Sequence, residues 1–390
     1  MPKRLIKAAL FLCVGLLAGA ARADLFLTIT FLHQEVPLPP VLSNLDPIPD
    51  TLGEDGARLG LGDNRTTGAF LGHNYALQTA SVPPGGDLIA AAKSALTASP
   101  YLVLNAPAAD VLRITDLPEA ASALIFNVAA PDTRLRDADC RTNLFHTLPS
   151  EAMRADALMQ ALQRKRFVRL ALITGPHAPD KAFAHALRRS AVKFGLKIVG
   201  EKEWDFDADM RRNASQEVPL FTQDFKDHDV LLVADEIHDF GRYIAYNTWL
   251  PRPVAGSEGL VPVAWSRVVE QWGAAQLQSR FKELTGRDMR PRDYAAWAAV
   301  RALGEAVTRT ESNDPTRLRA FILSDQFELA GFKGRPQSFR PWNGQMRQPI
   351  PLVTDRAVVI QAPVEGFLHQ RTELDTLGLD EPESRCEAFQ

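Results

Sequence analysis

The sequence predicts an α/β protein built as two doubly wound lobes, and three observations point there. Strand-like apolar runs alternate with helical patterns along most of the chain, the mark of parallel sheets covered by helices. At 390 residues the chain exceeds what one hydrophobic core usually serves, so two are expected. The stretch 140–207 reads as one unit of helix, strand, helix and strand, whose crossover length requires parallel pairing with right-handed connections.

In that unit Ser150 caps a helix on which Met153, Ala157, Leu158, Ala161 and Leu162 recur at helical spacing. Arg164, Lys165 and Arg166 sit where a helix C-terminus favours cations. A strand over 167–173, a turn at Thr174-Gly175-Pro176-His177, a helix over 181–194 stopped by Gly195 and a strand over 196–199 follow. Before it, strands are expected at 25–32, 75–78, 101–105 and 123–127, with helices at 56–67, 87–98 and 108–120. The proline-rich stretch 37–49 must be a surface loop. After it come strands at 229–234 and 254–265 and helices at 265–285 and 291–309. Antiparallel strands at 338–342, 350–353 and 357–360 end the pattern.

Lys3, Arg4 and Lys7 precede an apolar run over 8–17, and Ala21-Arg22-Ala23 completes a secretory signal peptide cleaved after Ala23. The run is shorter than the ~20 residues a membrane span needs. Cleavage removes Lys3, Arg4, Lys7 and Arg22 and no acidic residue, taking the formal charge from −3 to −7. A negative chain without a basic stripe is a poor partner for nucleic acid. No later segment is apolar enough to embed in a membrane, and a monomer is expected. Cys13 leaves with the signal. In an oxidising compartment the remaining pair, Cys140 and Cys386, is expected to form a disulfide; two separate buried thiols are the alternative.

Known chemical motifs are missing. Gly60-Leu61-Gly62 is followed by Asp63, with Arg65 where a dinucleotide fingerprint needs its third glycine. Ser257, in Gly256-Ser257-Glu258-Gly259, is no nucleophile elbow, and the histidines are scattered. The expectation is a binding protein with no catalytic residue, cofactor or metal ligand; an enzyme with an unfamiliar motif stays open.

In open α/β sheets ligands sit beyond the carboxyl ends of the strands. That rule selects 33–34, 105–109 and 127–131 in the first lobe, and 174–180, 235–238 and 257–258 in the second. The candidate ligand contacts are His33, Gln34, Asn105, Asn127, His177, Asp235, Glu236, Ser257, Glu258 and Trp265. Each has an ordinary alternative. Asn105 and Asn127 can satisfy strand ends, the acids can be solvated loop residues, and Trp265 can be core. As a site, these residues give the second lobe an acidic, partly aromatic face, suited to a hydroxylated or aromatic alcohol or to a hard cation.

The segment FHTLPSEAMRADALMQALQRKRFVRLALITGPHAPDKAFAHALRRSAVKFGLKIVGEKEWD resembles the middle of type I periplasmic solute-binding proteins of the branched-chain-amino-acid receptor kind. Phe145-His146-Thr147-Leu148-Pro149-Ser150 matches the phrase at which that family leaves its first lobe. The likeness extends more weakly over nearly all of the mature chain. DNRTTGAFLGHNYAL, LVPVAWSRVVEQWG, RPWNGQMRQPI and EGFLHQ with LDTLG and a final PES-x-C are similar to the binding proteins that accompany pyrroloquinoline-quinone-dependent alcohol dehydrogenase systems.

The resemblance implies crossings near Thr147, Trp265 and Phe332. The first lobe would then span 24–145 plus 266–331, the second 148–265 plus 332–363, with the tail 364–390 on the surface. It also implies a periplasmic receptor that delivers a small solute to an ABC-type permease. A periplasmic sensor, or an accessory protein handling the cofactor or metal of a quinoprotein dehydrogenase, is the second possibility. The family grips an amino-acid carboxylate with small hydroxyl residues after the third strand. Here that loop is Asn105-Ala106-Pro107-Ala108-Ala109. The family's Ala-Thr pair becomes Ala129-Ala130-Pro131, its covering tyrosine aligns with Pro179, and its acid survives only as Glu258. A buried carboxylate without partners is costly, so the resemblance implies a solute other than an amino acid.

Overall fold

The computed structural model describes residues 24–37, 47–205 and 210–389; residues 1–23, expected to be a signal peptide, and positions 38–46 of the proline-rich stretch lie outside the described residues. In chain order the first elements are β1 (Leu25–Gln34), α1 (Glu54–Gly68), β2 (His73–Val82), α2 (Leu88–Ala98), β3 (Tyr101–Asn105), α3 (Ala108–Thr115), β4 (Leu124–Asn127) and β5 (Leu144–His146). Next come α4 (Glu151–Arg164), β6 (Arg169–Thr174), α5 (Ala178–Lys193), β7 (Lys197–Glu203), α6 (Met210–Thr222), β8 (Val230–Ala234), β9 (Val254–Gly256) and β10 (Val261–Pro262). Three helices, α7 (Ala274–Thr285), α8 (Pro291–Thr310) and α9 (Pro315–Ile322), precede the short strands β11 (Ser338–Phe339), β12 (Met346–Arg347), β13 (Ile350–Val353) and β14 (Val358–Ala362).

Two parallel sheets result. The first has the order β2-β1-β3-β4-β5 and the second β7-β6-β8-β9. On the first sheet, alternation sends Ile29, Phe31, Val103 and Phe126 into one core with α1, α7, α8 and α9. Leu32, Leu102, Leu104 and Ile125 face the opposite way, into a core with α2 and α3. On the second sheet Leu170, Leu172 and Leu232 meet α4 and α5, while Ala171, Ile173 and Val233 meet α6. Each sheet is thus wound on both faces, as the alternation of elements predicts.

The departures have local causes. The strand expected over 254–265 breaks into β9 and β10. Gly256 there takes φ 117°, and a side chain would collide with the Val233 carbonyl. The helix expected from 265 begins only at Ala274, because Trp272 and Gly273 both adopt left-handed backbone. The helix expected over 108–120 stops at Thr115, ahead of Pro118, which opens a separate 3-10 turn. β5, α6, α9 and β12 are additions to the sequence pattern; all but α6 are too short to carry a clear period.

The chain passes between the sheets near Thr147 and Trp265; the passage expected near Phe332 falls later, because Phe339 and Met346 pack in the core of the first sheet and Ile350 and Leu352 in that of the second. Buried amides lace these passages together. The Thr147 hydroxyl donates to the Ala295 carbonyl at 2.8 Å. Gln348 donates to the Thr147 carbonyl at 2.7 Å and accepts from the Lys333 ammonium at 2.6 Å. Gln345 donates to the His146 and Leu148 carbonyls, both at 3.2 Å. The Tyr294 hydroxyl donates to the Gly331 carbonyl at 2.7 Å and accepts from Gln337 at 2.6 Å.

The last residues run along the same side. The Gly378 N–H donates to Asp156 on α4 at 2.8 Å, and buried Asp375 pairs with Arg340 and Arg347, each at 2.9 Å. Farther on, Arg385 grips Asp137, and Cys386 is bridged to Cys140 with the Cα atoms 5.6 Å apart. The expected disulfide therefore pins a tail anchored on α4 to the loop that precedes β5.

Candidate functional site

The loops after β1, β3 and β4 leave the carboxyl edge of the first sheet, and those after β6, β8 and β9 leave that of the second. On the first sheet His33 ends β1 in register with Ser81 and Asn105. It is half-buried, and desolvation together with the nearby Arg292 charge lowers its pKa below the usual value, so it is neutral at pH 7. Gln34 spends its amide on the carbonyls of Glu35 and Val82, at 2.8 and 3.3 Å.

The two asparagines serve the backbone. Asn105 is buried and donates to the Leu52 carbonyl at 3.0 Å, holding the entry to α1. Asn127 is fully buried; its oxygen accepts from the N–H groups of Ala129 and Ala130, and its amide donates to Ala130. Asn127 has both its amide groups engaged, and the Asn105 amide N–H is spent on Leu52.

On the second sheet the acids converge as the crevice rule places them, but each already has partners. Asp235 is fully buried and accepts from the N–H groups of Asp239, Phe240 and Gly241, the last at 2.6 Å. Burial, opposed by these donors, pushes its pKa up to about 6. Asp180 accepts from the N–H of His177 and, at 2.6 Å, from that of Glu236, tying two loops together.

Glu236 makes a two-pronged ion pair with Arg154 at 2.5 and 3.0 Å and accepts from Ser257 at 2.8 Å. Burial works to raise its pKa, but Arg154 and Ser257 outweigh it and hold the carboxylate below its ordinary value. Arg154 is itself held by the Pro262 carbonyl at 3.1 Å and lies 4.4 Å over the Phe183 ring. His177 pairs with Asp239 at 3.0 Å. Glu258 faces His238 at 3.5 Å and raises the pKa of that imidazole. His238 is exposed on a left-handed backbone, a conformation histidine tolerates better than bulkier residues.

The acidic face is therefore compensated from within. Among the described residues no group of three or more His, Cys, Asp or Glu side chains is arranged to hold a metal ion. The aromatic part of the expectation is corrected. Trp265 is only 1% exposed, stacks on Tyr294 with ring centres 4.8 Å apart, and donates its indole N–H to Gln278 at 3.1 Å. It is a core residue beside a crossing, with no face free for a solute.

The named sequence candidates omit Arg154 and Arg292, and include His238 only within the loop 235–238. Arg292 is the second residue of α8, after Pro291. It is exposed to solvent, yet surrounded by enough protein that desolvation lowers its pKa. Glu151 stands at the start of α4. Its pKa is pushed up to about 7 by burial, with the Asp132 and Glu236 charges adding to the effect.

The architecture is that of type I periplasmic binding proteins: two parallel α/β sheets joined by three passages. Among solved structures the chain is similar to a branched chain amino acid ABC transporter periplasmic ligand-binding protein from Burkholderia xenovorans, at 15% identity and TM-score 0.70, covering 93% of this chain and 100% of that one. It is similar also to the leucine-, isoleucine-, valine-, threonine- and alanine-binding protein from Brucella ovis in a closed conformation, at 15% identity and TM-score 0.66, covering 87% and 92%. The branched-chain amino acid transporter substrate binding protein of Streptococcus pneumoniae, in complex with isoleucine, gives 14% identity and TM-score 0.61 over 86% and 98%. No family model and no curated protein matches the sequence. No described helix is long and apolar enough to cross a membrane.

Proposed function

We propose that this chain is the periplasmic solute-binding component of an ABC-type importer. It captures a small solute other than an amino acid between its lobes and hands it to the permease. The observation that carries the reading is the fold: two parallel sheets, each wound on both faces, whose carboxyl edges carry loops rich in polar and charged side chains such as His33, Asp235 and Glu236. Closure of the lobes about the passages between the sheets is the expected motion. The lobes are taken as 24–145 plus 266–331 and 148–265 plus 332–363, save that the packing of Phe339 and Met346 moves 332–346 to the first.

Export through the signal peptide is part of the proposal, and N-terminal sequencing of the secreted protein should begin at Asp24. Against branched-chain amino acids stands the lack of any hydroxyl from Ala106 to Ala109. The sequence phrases shared with quinoprotein-associated binding proteins favour a role beside pyrroloquinoline-quinone-dependent alcohol oxidation. A thermal-shift screen against alcohols, their acids, the quinone cofactor and metal ions tests the proposal, because a ligand that binds the native state raises its stability by mass action. Leucine, isoleucine and valine should produce no shift. Micromolar binding of any of the three by calorimetry would overturn the assignment of solute class.

A further inference from the structure

We infer that the C-terminal tail is a taut strap between the two halves of the molecule, a fourth tie beside the passages of the chain, and that it limits how far one half swings against the other. The inference concerns the unliganded protein, so its fate is independent of the solute. It starts from which half each tail residue is bound to.

The tail first follows the second half. Val364 and Leu377 are buried in the core of the second sheet. Gln160 on α4 accepts from the Val364 N–H at 3.0 Å and donates to the Thr376 hydroxyl at 2.9 Å. The Gly378 N–H reaches Asp156 at 2.8 Å, and its carbonyl accepts from Lys193 on α5 at 2.9 Å. Gly378 takes φ 85°, and a side chain there would collide with Met153, so this approach to α4 needs glycine. Lys193 also holds Glu383, at 3.1 Å.

The very next residue is bound to the other half. The Ser384 hydroxyl donates to the Arg136 carbonyl at 3.3 Å. Arg385 grips Asp137 with its backbone N–H at 2.6 Å and with its guanidinium at 2.6 and 3.0 Å, and Cys386 is bonded to Cys140. Leu135 roots this loop in the first half, buried in the core that the first sheet shares with α2 and α3. Beyond the bridge, the Arg319 guanidinium of α9 lies 5.6 Å from the Phe389 ring centre. A second link lies upstream. Phe339 and Met346 of β11 and β12 pack in the core of the first sheet, while Arg340 between them donates to the Leu377 and Leu379 carbonyls at 2.6 and 3.1 Å.

This arrangement has no slack. Glu383 and Ser384 are neighbours, with Cα atoms ~3.8 Å apart, yet one is tied to α5 and the other to the loop before β5. The approach to that point is a 3-10 turn, Glu381–Glu383, rather than a loose loop. Buried contacts on α4 hold one end of the strap and a covalent bond holds the other. Rotation of one half against the other must therefore strip Glu383 from Lys193 before it goes far, and the bridge then stops it.

The test is a distance between the halves in the mature protein, with no solute added. Nitroxides on Ser94→Cys of α2 and Lys181→Cys of α5, both exposed positions, report it by double electron–electron resonance. Two variants release the strap in different ways. Inserting Gly-Ser-Gly-Ser between Glu383 and Ser384 adds slack and keeps the bridge. Cys140→Ala, Cys386→Ala and Arg385→Gln together remove the anchor on the first half. Each should widen the distance distribution by about 2 Å or more. The insertion should leave the urea midpoint unchanged, because so small an addition to a separation of 246 residues barely alters the closure entropy.

A distribution as narrow in the insertion variant as in the wild type would overturn the strap. So would widening confined to the bridge-free variant, which would assign the tail to stability alone. If the bridge-free variant fails to fold, the insertion variant decides by itself.

Discussion

Cutting the bridge between the tail and the first lobe should be the most damaging small change outside the cores. The Cys140–Cys386 disulfide closes a sequence separation of 246 residues. The chain-entropy relation for a loop of that length gives roughly 5 kcal/mol of stabilisation through the unfolded state. Measured bridges usually fall below this ceiling. Arg385 still grips Asp137 when the sulfur is gone, and the Ser384 hydroxyl still donates to the Arg136 carbonyl. A loss of about 3–5 kcal/mol is therefore expected for Cys386→Ser. Urea unfolding followed by tryptophan fluorescence measures it, with Cys140→Ser and the double variant as controls. Because the effect belongs to the bond, the double variant should be no less stable than either single one. An unchanged midpoint in Cys386→Ser, or additive losses in the double variant, would refute the reasoning.

Glu151 supplies a pH signature: its folded-state pKa of about 7 lies above the ordinary 4.5, so the native state holds a proton that the unfolded chain releases. Stability should fall as pH rises between those values, and Glu151→Gln should recover up to about 3 kcal/mol at pH 8 and nothing at pH 4, read as urea midpoints. Arg154→Ala should cost about 3 kcal/mol because it leaves Glu236 partly buried without its cation. Adding Glu236→Gln should restore much of that loss in the same assay.

The fold was legible because its signals are local and repeated. Apolar runs such as 101–105 and 230–234 are buried at every position, and Asp87, Ser150 and Gly195 mark helix ends where the sequence places them. The loops at the carboxyl edges of the sheets were legible too, since strand order alone fixes which edge they occupy. The roles of their side chains were not. Asp235 and Asn127 sit at strand ends as expected, but each is drawn inward by two or more backbone N–H groups that no sequence pattern announces. Arg154 and Glu236 are 82 positions apart, so their pairing is visible only after folding. Trp265 looked like a stacking platform because tryptophan suits both a cleft and a core. Tyr294, arriving from α8, decides for the core.

Small-angle scattering of the mature protein, with and without the best solute from the thermal-shift screen, tests the central claim most directly. Capture between hinged lobes predicts saturable binding accompanied by a smaller radius of gyration, with hydrogen-exchange protection gained at the loops after β1, β8 and β9. Saturable binding with an unchanged radius and protection elsewhere on the surface, or chemical turnover of the solute, would contradict it.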